Sequence, residues 1–261
     1  MKYVIVVGSG MADTKLMQLA GKTPMEALAL NSFDRCAGCQ CGRVVTIPRG
    51  MDAREDVALM SILGYDPKET MDGGSVKPRL TSFAELFGMK GSVIAADHRL
   101  KMIAGLAGLE TPEVEGADGS FETSYEGKVL CALDRLQAGD DFVLVHVAAP
   151  EKMAAEGDLG RKLEAVQNVE YRVVMPLINQ LMGKGEDFRL LLVSDFAALL
   201  NTRRHSAQPM PYAIFDSRWA RGFISEGKKP PVRKFCEETM LCEPVLMQGS
   251  ELIRVLFEQI K

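Results

Sequence analysis

Short apolar runs alternate with longer amphipathic stretches along most of this chain. The runs are rich in β-branched residues, which is typical of central strands that are covered on both faces of a sheet. The strands predicted from these runs are Tyr3–Val7, Arg43–Ile47, Ser92–Ala95, Asp141–Val147, Phe188–Val193 and Tyr212–Phe215. The amphipathic stretches carry apolar residues three and four positions apart, which indicates helices. The predicted helices are Asp56–Leu63, His98–Gly105, Gly127–Leu136, Leu159–Met182 and Gly249–Glu258.

Strands and helices in alternation predict an α/β fold, a three-layer α/β/α sandwich with a mostly parallel central sheet. Functional sites in such sheets lie at the carboxyl ends of the strands. We therefore expect Gly8–Asp13, His146–Glu151 and Ser194–Phe196 to lie near one another. The segment Lys68–Ser82, with its glycines and prolines, indicates a connection, and the tail Ser217–Gln248 has no clear periodicity.

Composition limits the class of protein without naming its function. The 261 residues suffice for one domain, predicted to span residues 1–261, and the net charge of −4 argues against a nucleic-acid surface. No apolar run approaches the roughly 18–20 residues of a membrane helix, and Tyr3–Val7 is too short for the apolar region of a signal peptide. With no export signal, the six cysteines favour reduced thiols and a cytoplasmic location.

Two glycine-containing segments have weak similarity to phosphate-binding loops. Gly8 and Gly10 follow the first strand as in a dinucleotide-binding turn, but Asp13 stands where the third glycine is needed. Gly21-Lys-Thr23 is not a P-loop, because Leu16 occupies the position of the required earlier glycine. Neither segment favours a nucleotide cofactor.

Three cysteines, Cys36, Cys39 and Cys41, form a C-x2-C-x-C cluster. Their thiolates could hold zinc or an iron–sulfur cluster, with a fourth ligand from Cys131, Cys236 or Cys242. The alternatives are a redox-active cluster and a thiol-rich turn without metal.

The chain has three histidines, His98, His146 and His205. His98 stands at a predicted helix start and His146 inside an apolar strand, which favours satisfied structural roles for both. His205 follows a strand and two arginines and is a candidate metal ligand.

The segment Arg54-Glu-Asp-Val-Ala-Leu-Met-Ser-Ile-Leu-Gly-Tyr-Asp-Pro67 resembles the nucleophile segment of archaeal-type cofactor-independent phosphoglycerate mutases, in the alkaline phosphatase superfamily. The likeness extends in order along nearly the whole chain. It is also carried by Met11-Ala-Asp13, Gly21-Lys-Thr-Pro-Met-Glu-Ala27, Gly105-Leu-Ala-Gly108, His146-Val-Ala-Ala-Pro150, Gly157-Asp158 and Pro209-Met-Pro-Tyr212. The resemblance implies an alkaline-phosphatase-like core.

In that family two divalent cations activate a serine that carries the phosphoryl group. The resemblance places Glu55 at the position of that serine, where a carboxylate cannot act in the same way. At the ligand positions it places Ser9, Glu151, Ala155, Asp195, Phe196 and His205. Alanine and phenylalanine cannot coordinate a hard cation. We therefore expect at most a vestigial site for a single Mn²⁺, Mg²⁺ or Zn²⁺, with the donors Asp195, His205, Glu151 and Ser9.

The family also carries an inserted domain that covers the substrate, after the Gly-Tyr-Asp-Pro segment. Only Lys68–Ser82 fills that place here, so this domain is predicted to be deleted. The resemblance thus implies a non-catalytic scaffold, regulatory or ligand-binding protein. The alternative is a metal-dependent phosphatase, phosphomutase or lyase with a rebuilt ligand set. Its partner would be a small phosphorylated acid or a protein, and a homo-oligomer could cover apolar surface that the missing domain exposes.

Glu55 itself has three possible roles. It could imitate the phosphorylated serine, stabilise the start of the helix near Asp56, or ligate one residual metal with Asp195.

Overall fold

A seven-stranded sheet forms the centre of this computed structural model, which describes residues 1–72 and 74–258. The strands are β1 Lys2–Gly8, β2 Gln40–Val44, β3 Met71–Asp72, β4 Ser75–Val76, β5 Gly91–Ile94, β6 Phe142–Val147, β7 Phe188–Val193, β8 Ala197–Leu199, β9 Arg204–Ser206, β10 Met210–Asp216 and β11 Val245–Leu246. The order across the sheet is β11-β2-β10-β7-β1-β6-β5, and β3–β4 and β8–β9 form two separate hairpins. Gly73 and residues 259–261 of the predicted domain lie outside the described residues.

The helices are α1 Pro24–Ala27, α2 Asn31–Cys39, α3 Glu55–Ile62, α4 Pro67–Thr70, α5 Phe83–Phe87, α6 His98–Leu106, α7 Tyr125–Gln137, α8 Ala149–Glu156, α9 Leu159–Asn168, α10 Met175–Gly183, α11 Ser217–Ser225, α12 Glu237–Met240 and α13 Leu252–Phe257. A π-helical turn spans Val169–Val174, and 3₁₀ turns span Met17–Leu19 and Gly249–Glu251. No helix of the described residues has the length and apolar character needed to cross a membrane.

The sheet is mostly parallel, as predicted. Strand β1 pairs in parallel with β6 and β7, with Val7 opposite His146 on one side and Val193 on the other. Strand β10 runs antiparallel to both of its neighbours, β7 and β2. Strands β6 and β7 are buried along their whole length, because helices cover the sheet. The carboxyl ends of β1, β6 and β7 therefore meet at one edge of the sheet.

The predicted strands and helices are present, but several begin or end at other residues than predicted. Strand β2 begins three residues earlier than predicted, since Gln40 already pairs with Ile214 of β10. The predicted helix Leu159–Met182 is α9, the π-turn and α10 in sequence. Pro176 explains the π-turn, because proline has no N–H for the α-helical bond to the preceding turn. The predicted connection Lys68–Ser82 contains the β3–β4 hairpin, whose two-residue strands carry no periodic signal.

A buried ion pair fixes the loop that follows β1. The Lys162 Nζ atom on α9 donates hydrogen bonds to Asp13 Oδ2 and to the Ala198 carbonyl oxygen, each at 2.6 Å. Asp13 Oδ2 also accepts from the Leu200 N–H at 3.1 Å, and both side chains of the pair are fully buried. Asp13, which replaces the third glycine of a dinucleotide-binding turn, thus links the β1 loop to α9 and to β8.

We expect the Lys162→Met variant to lose about 3–5 kcal/mol of unfolding free energy, because it leaves the Asp13 carboxylate buried without its charged partner. The matched control is Lys228→Met, since Lys228 pairs with Glu226 at the surface. That change should cost at most about 1 kcal/mol. Urea unfolding of both variants measures the difference, and equal losses would contradict the structural role assigned to Lys162.

Candidate functional site

A cleft of about 610 Å³ opens at the carboxyl edge of the sheet, where residues that follow β5 and β6 line it together with Glu55 and His205. The segments Gly8–Asp13, His146–Glu151 and Ser194–Phe196 meet at this edge, as predicted from the sheet topology. The N-terminus of α3, which carries Glu55, and the N-terminus of α6 complete the cleft. This is the position at which open α/β sheets bind their ligands.

Asp195 follows β7 and is the centre of a buried group of side chains beneath the cleft, which we call its floor. Its Oδ1 atom accepts hydrogen bonds from the Gly10 N–H at 2.9 Å and from the Phe196 N–H at 2.8 Å. Its Oδ2 atom lies 2.7 Å from Ser9 Oγ. Gly10 has a φ of +64°, and a Cβ there would lie within 2.8 Å of the Glu151 Cα atom, so the close approach of these loops needs glycine.

Glu55 lies in the first turn of α3 and reaches the same floor. Its Oε1 atom is 3.2 Å from Ser9 Oγ, so the serine hydroxyl stands between the two carboxylates of Glu55 and Asp195. Burial raises the pKa of Glu55 above its ordinary value; His146 opposes this shift, while the negative charge of Asp195 adds to it. Glu55 lines the cleft and also stands in the first turn of α3, at the positive end of the helix dipole.

His146, on β6, is the residue whose role the sequence did not reveal. Its side chain is 3% exposed, and its Nε2 atom has no hydrogen-bond partner. Asp195 Oδ2 is 3.8 Å from this atom, beyond hydrogen-bonding distance. The prediction of a satisfied structural histidine is therefore wrong. The available signal was its position one residue before the carboxyl end of a central strand, the edge at which sites gather.

Glu151 and His205 form a second hydrogen-bonded group beside the first. His205 Nε2 lies 2.8 Å from Glu151 Oε1, and His205 Nδ1 lies 3.0 Å from the Ala53 carbonyl oxygen. Both partners offer acceptor oxygens, an arrangement that favours the imidazolium form, in which both ring nitrogens donate. Accordingly, the pKa of His205 is raised, chiefly by the hydrogen bond to Glu151. The ring also stacks on Phe196, with 4.1 Å between the ring centroids.

The four donors of the predicted vestigial metal site are thus divided between two places. Ser9 and Asp195 share the floor with Glu55 and His146, whereas Glu151 and His205 are paired with each other. Ala155 is exposed on α8 and offers no donor atom. In residues 1–72 and 74–258, Glu55, His146 and Asp195 are the one group of three His, Cys, Asp or Glu side chains with ligand atoms within 4.8 Å of one another.

Cationic side chains line the mouth of the cleft. Arg99 is 62% exposed and Lys152 is also exposed, and His98 lies beside them. Arg54 forms an ion pair with Asp56 and donates to the Gly74 carbonyl oxygen at 2.8 Å. The arginine therefore ties the β3–β4 hairpin, within the predicted connection Lys68–Ser82, to the rim of the cleft.

The cysteine cluster lies elsewhere. Cys36 is buried on α2, Cys39 ends that helix, and Cys41 lies on β2. Burial raises the pKa of the Cys39 thiol to about 12 and that of Cys36 further, so both thiols are protonated at neutral pH. In the described residues these three thiols do not form a group with metal-ligand spacing. Protonated thiols are also poor ligands and poor nucleophiles.

Comparison with known proteins identifies the family. The sequence of residues 1–243 matches the family model of the metalloenzyme superfamily. The 2,3-bisphosphoglycerate-independent phosphoglycerate mutase of Methanosarcina mazei is 34% identical over 187 residues, which cover 71% of this chain and 45% of the relative. The matched region is thus about half the length of that relative.

Solved structures share the fold. A protein of Pyrococcus horikoshii superposes with a TM-score of 0.82 at 17% identity, covering 100% of this chain and 98% of that one. The cofactor-independent phosphoglycerate mutase of Thermoplasma acidophilum follows with a TM-score of 0.68 at 14% identity, over 98% and 99%. An alkaline phosphatase from an Antarctic bacterium has a TM-score of 0.56 at 10% identity, over 98% and 96%.

The predicted alkaline-phosphatase-like sandwich and the predicted resemblance are therefore confirmed. The chain belongs to the metalloenzyme superfamily, in which it resembles the cofactor-independent phosphoglycerate mutases.

Proposed function

We propose that this protein binds a small phosphorylated acid and does not catalyse the phosphoglycerate mutase reaction. The observation that carries the proposal is Glu55, which lies at the floor of the cleft where the resemblance expects the serine nucleophile. A serine hydroxyl can accept and return a phosphoryl group as a phosphate ester. A glutamate would have to form an acyl phosphate, and its negative charge also repels the incoming phosphate.

The second metal position supports the same proposal. In the mutases two cations act together on the transferred group. Here Glu151 and His205 are hydrogen-bonded to each other, and a cation at this place would have to displace the proton between them. Phe196 stacks on this ring, and Ala155 offers no ligand. A second cation on this side of the cleft would therefore have to break the pair of Glu151 and His205.

The ligand class follows from the charges at the mouth. Arg99, at the start of α6, and Lys152, on α8, line the cleft with exposed side chains, and Arg99 also lies 3.6 Å from Asp56 Oδ2. Cationic groups at these places attract phosphate and carboxylate groups. The volume of about 610 Å³ accommodates a small phosphorylated acid. A regulatory or scaffolding role would depend on whether the cleft holds this ligand.

An enzyme of altered chemistry is the second candidate, favoured by one observation. The unpartnered Nε2 atom of His146 faces two carboxylates, an arrangement suited to a cation. A rebuilt site of this kind would support a phosphatase, phosphomutase or lyase acting on the same class of ligand. Turnover of a phosphorylated acid by the purified protein would favour this candidate. Four features stay predictions from the sequence: the cytoplasmic location, the homo-oligomer, a protein partner and the deleted covering domain.

We expect no interconversion of 3-phosphoglycerate and 2-phosphoglycerate in the presence of Mn²⁺, and measurable binding of phosphoglycerate by calorimetry. The Arg99→Met and Lys152→Met variants should each weaken binding about fivefold, as loss of one partly exposed charge pair costs about 1 kcal/mol. Lys184→Met is the matched control, because Lys184 is exposed outside the cleft. Mutase turnover that disappears in Glu55→Gln would refute the proposal, as would an affinity for phosphoglycerate that neither Arg99→Met nor Lys152→Met changes.

The Glu151–His205 pair predicts a pH dependence. Because the pKa of His205 is raised in the folded state, the pair stabilises the protein fully below the ordinary histidine pKa of about 6.5. This stabilisation is lost as the pH rises through the folded-state value. In NMR titrations, His205 should deprotonate above pH 6.5 in the wild type, and at a lower pH in Glu151→Gln.

Two further variants control that titration. His205→Gln identifies the resonance among the three histidines, and Glu156→Gln removes an exposed carboxylate from the other end of α8. The second variant should leave the titration of His205 in place. An unchanged titration midpoint in Glu151→Gln would show that the pair does not hold the proton.

A further inference from the structure

The floor of the cleft contains a buried polar atom that the protein leaves without a partner. His146 Nε2 is inaccessible to solvent and has no hydrogen bond among the described residues. Buried polar groups in folded proteins are nearly always hydrogen-bonded, so an exception points to something that the polypeptide does not supply.

The neighbouring carboxylate does not provide the missing partner. Asp195 Oδ1 already accepts from two backbone N–H groups, and Asp195 Oδ2 is 2.7 Å from Ser9 Oγ. The 3.8 Å separation between His146 Nε2 and Asp195 Oδ2 is too long for a hydrogen bond. It does suit two atoms that bind the same third atom between them.

The donors lie near the spacing that a shared cation requires. Two ligands that are each about 2.1 Å from a metal lie about 3.0–3.4 Å apart at octahedral and tetrahedral angles. Ser9 Oγ lies 3.2 Å from Glu55 Oε1 and 2.7 Å from Asp195 Oδ2. One ligand atom from each of Glu55, His146 and Asp195 lies within 4.8 Å of the other two, so the side chains would move closer together to bind one cation.

The charges match as well. Glu55 and Asp195 bring two carboxylates into a partly buried place, and Ser9 Oγ has one proton to share between them. A divalent cation would balance both negative charges and would give the unpartnered Nε2 atom of His146 a bonding partner. One nitrogen and two carboxylate donors suit Zn²⁺, Co²⁺ or Mn²⁺ better than Mg²⁺ or Ca²⁺, which prefer oxygen donors alone.

We infer that Glu55, His146 and Asp195 form a binding site for one divalent transition-metal cation, with Ser9 as a fourth donor. The site differs from the ligand set that the resemblance implies. Glu55 replaces the nucleophile with a ligand, His146 supplies an imidazole on the side where Phe196 cannot, and Glu151 and His205 take no part. The inference names a cofactor for the cleft of the proposed function, yet it does not require the phosphorylated ligand.

The test is a titration of metal-free protein with Co²⁺, followed by visible absorption and calorimetry without any phosphorylated acid. We expect one Co²⁺ per chain and competition by Zn²⁺ and Mn²⁺. Glu55→Gln, His146→Gln and Asp195→Asn should each weaken binding at least tenfold. Glu151→Gln should retain the wild-type affinity within threefold, because its carboxylate is outside the site, and so should Cys39→Ser.

Thermal unfolding in EDTA controls for damage to the fold. Glu55 is partly exposed at the cleft, so Glu55→Gln should unfold at the wild-type temperature in EDTA while losing the stabilisation that the cation gives the wild type. The inference is overturned if the wild type does not bind Co²⁺ saturably below about 1 mM, an affinity of about −4 kcal/mol. Binding that survives His146→Gln, or that disappears in Glu151→Gln or Cys39→Ser, would also overturn it.

The two proposals can fail separately. If Co²⁺ binds but phosphoglycerate does not, the cation site stands and the proposed ligand class is wrong. If phosphoglycerate binds but Co²⁺ does not, the proposed ligand class stands and the inference about Glu55, His146 and Asp195 is wrong.

Discussion

The candidate site depends on one carboxylate, that of Asp195. This side chain follows β7 and accepts two backbone N–H bonds, from the loop after β1 and from its own successor Phe196. It thereby fixes the ends of two parallel strands relative to each other and places Ser9 between itself and Glu55. The buried pair of Lys162 and Asp13 holds the other end of the same loop, so the floor of the cleft is built on a rigid base.

The two halves of the site have different electrostatic states. Glu151 and His205 form a closed pair in which each charge has a partner and each ring nitrogen a hydrogen bond. Glu55, His146 and Asp195 form an open group, with two carboxylates in contact with one serine and a buried nitrogen left unbonded. An unbonded buried polar group costs about 1–3 kcal/mol. Such a cost persists in a protein when a bound ligand or ion offsets it.

The periodic pattern predicted the central strands and the long helices because each buries one repeating apolar face. It did not predict the β8–β9 hairpin that carries His205, since three-residue strands hold too few positions for a period. The topology brought the ends of β1, β6 and β7 together correctly. The resemblance identified Ser9, Glu55 and Asp195, but neither it nor the pattern could show that Glu151 pairs with His205. Likewise, the missing partner of His146 depends on distances that only the folded chain has.

Anomalous scattering from a crystal grown with Mn²⁺ locates each bound cation without reference to activity. We expect a single peak among Glu55, His146 and Asp195, with the hydrogen bond between Glu151 and His205 intact. Two peaks, one of them bound by Glu151 and His205, would contradict the single-cation site and restore the two-metal arrangement that the resemblance implies.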